Sequence, residues 1–394
     1  MPSLSQNSTI TDYYNLLKGL YMFASLSIWS ISQEYTLRSL IANDKKLTSD
    51  TRQQLGYQIE DMIISCQFNY QKCSASDFTY IFHSQYGNCY SFNGDKYANG
   101  SINATRTTSF SGILFGLTLE LFLGDPSIGP YYEPNEGILL SINNQSAEPL
   151  WQGDVLKAES GAETDFILNR NFVSKLPTPY GNCLLQGTGG SFYYDYIVNT
   201  LGRNYSQQFC FKLCLQDQIN RMCGCANTFF QTFENQSTKF CSLPNVVACS
   251  LNVFSENDLK TCQLKCPEEC AYVDYEIATF KTKYPSIPYS NLLYNYVKQI
   301  KGINFSYNDI SRGFTKINIY YHDMKYTTTT QVAKMDLPDL FSNFGGNLGL
   351  FLGMSFLTFV EIVEIVFNFF LILVEYVTSR KKESLVSQEK TETK

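Results

Sequence analysis

The chain has 394 residues, a formal net charge of −6 and 15% aromatic residues. Its length suits one or two domains plus a membrane segment, and its mild acidity excludes nucleic acid as a partner. The two histidines, His83 and His322, lie far apart, and no Gly-rich phosphate loop precedes a helix. We therefore expect neither an enzyme nor a bound cofactor or metal ion.

The first part of the chain is predicted to be helical. Residues 13–63 have mainly helical patterns, and one helix is expected from Thr51 to Ile64, capped by Ser49 or Asp50. Residues 20–31 are moderately apolar but short, and no cleavage site follows them, so a buried helix is favoured over a signal peptide. Because a large external region then has no clear export device, we expect a truncated chain or a piece of a longer protein.

Strands are predicted in two later regions. Alternation and turn dipeptides predict strands at 111–122 and 137–142. Residues 314–332 are β-branched and alternating, which predicts a hairpin that leads down to the membrane.

Three further helices are predicted from their periodicity. One spans 206–222 with Ser206 as a cap. Another starts at the capping box Ser255-x-x-Asp258 and reaches about Cys266, where Pro267 stops it. The last spans 288–301.

Ten of the 13 cysteines lie between residues 183 and 270. Cys210 and Cys214 are four residues apart on one predicted helix, and Cys262 and Cys266 are four apart on the next. In antiparallel neighbouring helices, facing positions have equal index sums, so bridges 210–266 and 214–262 can both form. Extending the ladder outward pairs 183 with 270.

The other cysteines leave alternatives open. Nesting favours the pairs 223–249 and 225–241, although the sequence alone does not fix this connectivity. A zinc cluster is the rival interpretation of Cys223-x-Cys225. Cys66 and Cys73 delimit a short loop that a disulfide can close.

A membrane helix is predicted near the C-terminus. The run from Leu350 to Tyr376 is almost wholly apolar and, at ~1.5 Å per residue, spans ~40 Å as a helix. The basic cluster 380–382 follows, so the C-terminus is predicted to be cytoplasmic and the preceding region extracellular. The tail 381–394 is polar and predicted to be disordered. Seven glycosylation sequons precede the membrane helix, at Asn7, Asn99, Asn103, Asn144, Asn204, Asn235 and Asn304.

Polar residues interrupt the apolar run in a regular way. At ~100° per residue, Glu361, Glu364, Asn368 and Glu375 fall within one ~60° arc. Because carboxylates are costly at mid-membrane depth, the stripe predicts a water-lined pathway between several helices. The alternative is that the glutamates reach the interface or pair within a bundle. Extending the phase backward places Asn343, Gly346 and Gly353 near the same arc.

Glycines crowd the outer half of this segment, at positions 345, 346, 349 and 353. This pattern is typical of close helix approach or of an unwound turn that exposes carbonyls, which can replace the water shell of an ion. Tight packing without conduction is the alternative.

Four stretches resemble the degenerin/epithelial sodium channel family, particularly its acid-sensing and peptide-gated branches. They are SCQFNYQKCSASDF with YGNCYSFN (65–93), PYGNC (179–183), NYSQQFCFKLC with CGC (204–225) and FGGNLGLFLGMSFLTFVEIVE (344–364). The resemblance implies an α+β membrane protein with a disulfide-rich, hand-like ectodomain and a C-terminal transmembrane helix. The implied regions are finger 1–88, palm and β-ball 89–182, thumb 183–272, knuckle helix and lower palm strands 273–337, pore helix 338–378 and cytoplasmic tail 379–394.

The resemblance also implies a function. It indicates a subunit of a trimeric, amiloride-sensitive, ligand- or proton-gated sodium channel of the plasma membrane. The implied partners are sodium ions, two further homologous subunits, membrane lipid and an extracellular peptide or proton ligand. A single-pass cell-surface binding protein, or a non-conducting modulatory subunit, is the alternative because a first membrane helix is not found.

Specific residues follow from the resemblance. The selectivity filter maps to Gly353, Met354 and Ser355. The gate and pore lining map to Ser342, Asn343, Gly346, Gly349, Leu350, Glu361, Glu364 and Asn368. The implied disulfides agree with the ladder and add Cys66–Cys73.

Three departures from the family pattern matter. The first membrane helix, the His-Gly motif and the first palm strand are not matched, and the family pairs the cysteine at Cys89 with one in that strand, so Cys89 is expected to be unpaired. Met354 is bulkier than the usual alanine or serine, which leaves selectivity between Na⁺ and K⁺ open. Tyr180 stands at the wrist, where many members have tryptophan.

Overall fold

The structure, a computed structural model, describes most of the chain from residue 53 onward. The described residues are 53–54, 56–83, 86–94, 105–124, 136–145, 147, 155–185, 187, 189–228, 230–233, 239–242, 249, 256–302, 311–335, 337–353 and 355–389. The predicted helices between 13 and 50 and the apolar segment 20–31 therefore lie outside them, as does the Ser255 end of the predicted capping box. The chain divides into two compact units, Met1–Gln331 and Val332–Lys394.

A six-stranded sheet forms the centre of the first unit, in the order β2-β1-β5-β10-β8-β9. The strands are β1 (Ile63–Phe68), β2 (Gln71–Lys72), β5 (Leu117–Phe122), β8 (Ala162–Ser174), β9 (Ala271–Lys283) and β10 (Phe314–Thr330). β10 pairs in parallel with β8, and the other neighbours are antiparallel. Two hairpins accompany the sheet, β3 (Phe78–His83) with β4 (Gly87–Phe92) and β6 (Gly137–Ser141) with β7 (Val155–Glu159).

Successive side chains of a strand point to opposite faces of the sheet. One apolar cluster covers one face, and a second, which contains Phe122 and Phe314, lies on the other. Ala162, Thr164, Phe166 and Leu168 alternate as buried residues along β8. Phe166 packs with Ile317 of β10 and with residues of β5 and β7 in one apolar cluster. The predicted strand at 137–142 is confirmed, with β6 ending at residue 141.

Two predicted elements are wrong. The helix expected from Thr51 to Ile64 is interrupted and ends early. Residues 53–54 are helical, residues 56–58 are not, and one further turn, α1 (Ile59–Met62), precedes Ile63, which starts β1 and pairs with Leu121. Pairing with β5 overrides the local helical pattern, because β-branched residues such as Ile63 pack well in a sheet.

The hairpin expected at 314–332 is one continuous strand, β10, with β5 and β8 on its two sides. The segment around Asp323 forms a register shift between Tyr321 and Tyr326 in place of a turn. The segment has no Asn-Gly or Asp-Gly dipeptide to reverse the chain. The strand expected at 111–122 is shorter, because a 3₁₀ turn at Ile113–Phe115 precedes β5.

The described residues of the first unit form four further helices: α2 (Phe192–Asp195), α3 (Gln207–Cys223), α4 (Glu256–Lys265) and α5 (Ile287–Tyr296). α3 matches its prediction and ends at Gly224, whose φ of 66° is the left-handed conformation that a helix C-terminus favours. The Ser206 side chain makes no capping hydrogen bond. α4 ends two residues before Pro267, as predicted, and α5 continues as a π turn at Val297–Lys301.

A buried carboxylate ties α5 to the sheet. Glu120 of β5 is 5% exposed, and it accepts hydrogen bonds from Ser65 Oγ at 2.9 Å, from Tyr289 Oη at 2.8 Å and from Tyr284 Oη. Burial, followed by the hydrogen bond to Glu120, raises the pKa of Tyr289 to about 12 and raises that of Tyr284 still further. Both hydroxyls therefore remain protonated donors at neutral pH.

The first prediction concerns this cluster. Glu120→Ala should lower the free energy of unfolding by about 2–3 kcal/mol, because buried hydroxyls lose their acceptor. Glu120→Gln keeps one acceptor oxygen and should lose less. The exposed Glu276 of β9 supplies a control, since Glu276→Ala should change stability by less than about 0.5 kcal/mol. Chemical unfolding followed by circular dichroism measures the three variants, and equal effects at 120 and 276 would contradict the assignment.

Among its described residues, the second unit contains two helices, α6 (Leu337–Leu352) and α7 (Phe356–Glu389). Within α7, Leu357–Ser379 is 23 residues long and apolar enough to cross a bilayer. α7 continues to Glu389, so the expectation of a disordered tail from 381 is wrong for residues 381–389. Extending an existing helix needs no new nucleus, and this segment is rich in lysine, glutamate and other helix formers.

Candidate functional site

The membrane segment is interrupted at the tripeptide Gly353-Met354-Ser355. α6 ends at Leu352, and Gly353 has a φ of +62°, a left-handed conformation that only glycine adopts without strain. Met354 lies outside the described residues. Ser355 precedes α7, and its Oγ accepts a hydrogen bond from Thr358 N–H at 3.4 Å, as in an N-cap.

The break has a local chemical consequence. The last four carbonyls of a helix have no partner within that helix. At the end of α6 these belong to residues 349–352, inside an otherwise apolar segment. The Ser355 and Thr358 side chains lie 3.2 Å apart at the start of α7. The tripeptide therefore joins exposed carbonyls to hydroxyl oxygens, which are the ligand types that sodium ions accept.

The predicted gate residues share one face of α6. At ~100° per residue they fall within an arc of ~120°. These residues are Ser342, Asn343, Gly346, Gly349 and Leu350. A Cβ atom added at Gly345 or Gly346 would meet no other atom of the chain within 4 Å. Packing within the chain therefore does not require glycine at either position. The small residues therefore line a helix face that meets no part of its own chain at these points.

The polar stripe lies on α7. Glu361, Glu364, Asn368 and Glu375 belong to one uninterrupted helix, so their ~60° arc is preserved, and all four are exposed. The backward extension of this phase to Asn343 and Gly346 is wrong, because the helix is broken at Gly353. The residues predicted to form the filter and the gate thus belong to α6 and the break, and the acidic stripe belongs to α7.

Six disulfides stabilise the first unit. They are Cys66–Cys73, Cys183–Cys270, Cys210–Cys266, Cys214–Cys262, Cys223–Cys249 and Cys225–Cys241. Both central bridges have Cα atoms 5.7 Å apart, as expected for facing positions on the antiparallel helices α3 and α4. Every predicted pair is confirmed. The zinc interpretation of Cys223 and Cys225 fails, because disulfide sulfurs are not thiolate ligands.

Comparison with known proteins is consistent with this arrangement. A sequence profile described as amiloride-sensitive sodium channel matches residues 3–365. The chain belongs to the amiloride-sensitive sodium channel family. This is a family of ion channels, which agrees with the expectation that the chain is not an enzyme.

Named relatives are epithelial sodium channel subunits. The chain is 27% identical to subunit gamma-2 of Xenopus laevis over 335 residues, which cover 83% of this chain and 49% of the relative. It is 28% identical to subunit beta of Homo sapiens, over 80% of this chain and 49% of that subunit. It is 28% identical to subunit gamma of Neoceratodus forsteri, over 88% and 51%. The chain thus spans about half the length of the curated relatives it matches.

Hydrogen bonds hold the helices of this family member in place around the disulfides. The Gln216 side chain is fully buried on α3 and bonds Asn227 N–H at 3.1 Å, Asn227 O at 3.0 Å and Phe230 O at 3.3 Å. Tyr193 Oη donates to Asp217 at 2.8 Å. Tyr205 Oη donates to the Pro267 carbonyl at 2.7 Å, which ties the start of α3 to the end of α4. These contacts and the disulfides cross-link α3 and α4.

Cys89 is the free cysteine, since the six disulfides take twelve of the 13 cysteines. It lies half-buried on β4 opposite Ile81 of β3. Burial raises the pKa of its thiol to about 12. The thiol is therefore protonated at neutral pH, and the thiolate is the reactive form.

The second prediction follows from this pKa. In the folded chain Cys89 should react with N-ethylmaleimide at pH 7 at least about tenfold more slowly than after unfolding in denaturant, because burial raises its pKa. Mass spectrometry of the labelled protein measures both rates. No reducing agent is added, so the disulfides stay intact. A Cys89→Ser chain should take up no label. Equal rates before and after unfolding would show that the thiol is not sequestered.

The remaining predicted residues have different surroundings. Tyr180 is 55% exposed, and its backbone N–H donates to Pro177 O in a tight turn. His322 is exposed on β10, and His83 stacks with Tyr86 at a centroid distance of 5.1 Å. Asn144 and Asn204 are exposed, and the other five sequons lie outside the described residues.

Sequence reasoning missed two features of this region. The Glu120 cluster joins residues separated by 55 to 169 positions, and no local signal marks it. The cap at Ser355 was missed although a signal exists, because Ser355-x-x-Thr358 directly follows a glycine in an apolar run. Glycine commonly ends one helix and serine commonly caps the start of the next, so the two together indicate a helix break.

Proposed function

We propose that the chain is a subunit of an amiloride-sensitive sodium channel in the plasma membrane, assembled from three homologous subunits. The proposal rests mainly on the break of the membrane segment at Gly353–Ser355 and on the acidic stripe that follows on α7. The epithelial sodium channel subunits among its relatives support assembly with homologous chains.

The filter of this channel is Gly353-Met354-Ser355. Three copies around an axis supply three sets of α6 carbonyls and Ser355 hydroxyls, which replace part of the hydration shell of a sodium ion. The gate is the face of α6 that carries Ser342, Asn343 and Gly346, where small side chains leave room for a passage. Selectivity between Na⁺ and K⁺ depends on the bulk of Met354.

The acidic stripe forms the inner part of the pathway. Glu361 and Glu364 lie on one face of α7 and, in a lipid-facing helix, each costs ~2.5–3.5 kcal/mol at mid-membrane depth. Three helices that turn this face toward a common axis keep the carboxylates hydrated and concentrate cations near them. Asn368 continues the polar wall toward the cytoplasm.

The orientation follows from charge. Arg380, Lys381 and Lys382 follow the apolar span, which favours a cytoplasmic C-terminus. The first unit is then extracellular, where disulfides persist and where the exposed Asn144 and Asn204 accept glycans. We assign finger, palm, β-ball, thumb and knuckle within the regions given by the family resemblance.

Gating in this proposal begins at the disulfide-linked helices. α3 and α4 move as one body because two disulfides join them, and β9 and β10 connect this region to the chain that enters α6. A peptide or a proton bound in the extracellular region shifts this body and thereby the gate face of α6. Recording under acid and under short amidated peptides distinguishes the two stimuli.

The third prediction tests the water-lined face of α7. Glu364→Cys should react with a water-soluble methanethiosulfonate reagent, and the reaction should reduce the sodium current by more than half. Val366→Cys is the matched control, because Val366 lies roughly opposite the stripe at ~100° per residue and faces lipid in this arrangement. Whole-cell recording of amiloride-sensitive current in cells that express the chain within an assembled channel measures both.

Two outcomes would count against the proposal. Equal modification at 364 and 366 would show that the stripe does not line water. Surface expression without any amiloride-sensitive current would favour the single-pass binding protein or modulatory subunit.

A further inference from the structure

An open cavity of about 870 Å³ lies at the surface of the first unit, where the ends of β8 and β10 meet the disulfide-linked helices. Its walls come from the end of β8 with Val173, from Leu176 just after it, from Leu264 of α4 and Pro267, and from the last residues of β10 with Gln331. The volume falls in the range of pockets that hold drug-sized molecules. The pore residues take no part in this cavity.

The cavity wall is electrically neutral. Of the fifteen lining residues, the ionisable side chains are Lys175 and Glu268, and they form a salt bridge with each other. The Lys175 ammonium also lies 5.4 Å from the centre of the Tyr272 ring. The hydrogen bond to Glu268 raises the pKa of Lys175, so the pair remains charged and matched at neutral pH. A charged ligand must separate this pair or remain without a counter-ion.

The remaining polar groups are amides. Gln331 Oε1 accepts a hydrogen bond from Leu176 N–H at 3.0 Å, which fixes the side chain and leaves its Nε2 group as a donor. Gln207 Nε2 donates to the Cys266 carbonyl at 2.9 Å, which leaves Oε1 as an acceptor. Asn182 and Gln263 add exposed amides to the same wall. Amide donors and acceptors over apolar walls match a ligand that carries amides on an apolar body.

The frame of the cavity is rigid. Cys183–Cys270 closes one wall, and Cys210–Cys266 holds the start of α3 against the end of α4. Gln207 N–H also donates to the Glu269 carboxylate at 3.0 Å. A preformed pocket loses little entropy on binding, so it favours affinity for a small molecule.

We infer that this cavity is a binding site for an uncharged amphipathic small molecule that carries amide groups. An occupant contacts α4 on one side and the end of β10 on the other, and β10 leads directly into the chain that enters α6. The site is therefore placed to regulate how the helices move relative to that strand. The inference concerns binding and does not require that the chain conducts ions.

A set of three related probes tests the ligand class. N-acetylphenylalaninamide is uncharged, N-acetylphenylalanine is an anion and phenylalaninamide is a cation on the same scaffold. Saturation-transfer NMR with the full chain in detergent micelles measures the affinity of each. The uncharged probe should bind saturably and at least about tenfold more tightly than either charged probe. Three equal affinities, or no saturable binding of the uncharged probe, would overturn the inference.

Paired variants test the location. Leu264 is 87% exposed at the cavity wall, so Leu264→Trp fills space without disturbing a core. It should weaken the uncharged probe by at least about tenfold. Leu292→Trp on α5 is the control, since Leu292 is 63% exposed and does not line the cavity, and it should leave the affinity unchanged. Unchanged binding in Leu264→Trp would place the probe elsewhere and refute the site. Binding of the uncharged probe to an unmodified chain that gives no amiloride-sensitive current would instead count against the proposed channel function and leave this inference standing.

Discussion

Replacing Gly353 with alanine is expected to reduce the amiloride-sensitive sodium current at least about tenfold, because the break in the membrane helix then closes. Gly353 has a φ of +62°, and an L-residue in this conformation costs ~1–2 kcal/mol. Alanine is also the best helix former, so it favours one helix from α6 through α7. A continuous helix satisfies the carbonyls of residues 349–352 internally and withdraws them from a passing ion.

The control for this change is Gly345→Ala. Gly345 lies within α6, it is not among the residues with positive φ, and a Cβ there meets open space. The same glycine-to-alanine change raises helix propensity here but leaves the break unaltered. The current should therefore stay within about twofold of that of the unmodified chain. Whole-cell recording gives the current, and surface biotinylation shows that both variants reach the membrane. If Gly353→Ala conducts as well as Gly345→Ala, the break is not the filter.

Where the sequence predicted the structure correctly, the signal was local or had a simple geometric rule. Cys210 and Cys214 share a helix face, and so do Cys262 and Cys266, so the antiparallel rule alone pairs them. The helix at 206–222 follows from its periodicity. The stripe of Glu361, Glu364 and Asn368 needs only that one helix be continuous, which α7 is.

The wrong predictions share a different physical cause. At Ile63 and Ile64 the local pattern is helical, but pairing with β5 determines the conformation. The alternation of residues 314–332 was predicted to turn back as a hairpin. Instead β8 pairs with β10 both before and after Asp323, at 316–321 and 326–330, so the chain continues in one direction through the register shift. The Glu120 cluster depends on two tyrosines more than 160 residues away in sequence. Such features arise from tertiary contacts that no window of sequence contains.

Removing a disulfide between α3 and α4 is the second change with a large expected effect, here on the free energy of unfolding. Cys214–Cys262 closes a loop of 48 residues, and both sulfurs are fully buried among the helices. In the chain-entropy view, opening a loop of this length lowers the free energy of unfolding by about 4 kcal/mol. Cys214→Ala with Cys262→Ala should therefore destabilise the first unit severely and free α3 from α4.

Cys66–Cys73 provides the matched comparison within the same chain. It closes a loop of only 7 residues between β1 and β3, so the same double replacement by alanine should cost about 2.4 kcal/mol. Chemical unfolding of the full chain in micelles, followed by circular dichroism, should place the 214/262 variant well below the 66/73 variant. If both lose equal stability, loop length does not govern the ladder. If the 214/262 variant loses stability but retains gated current, α3 and α4 need not move as one body, and the proposed route from these helices to α6 fails.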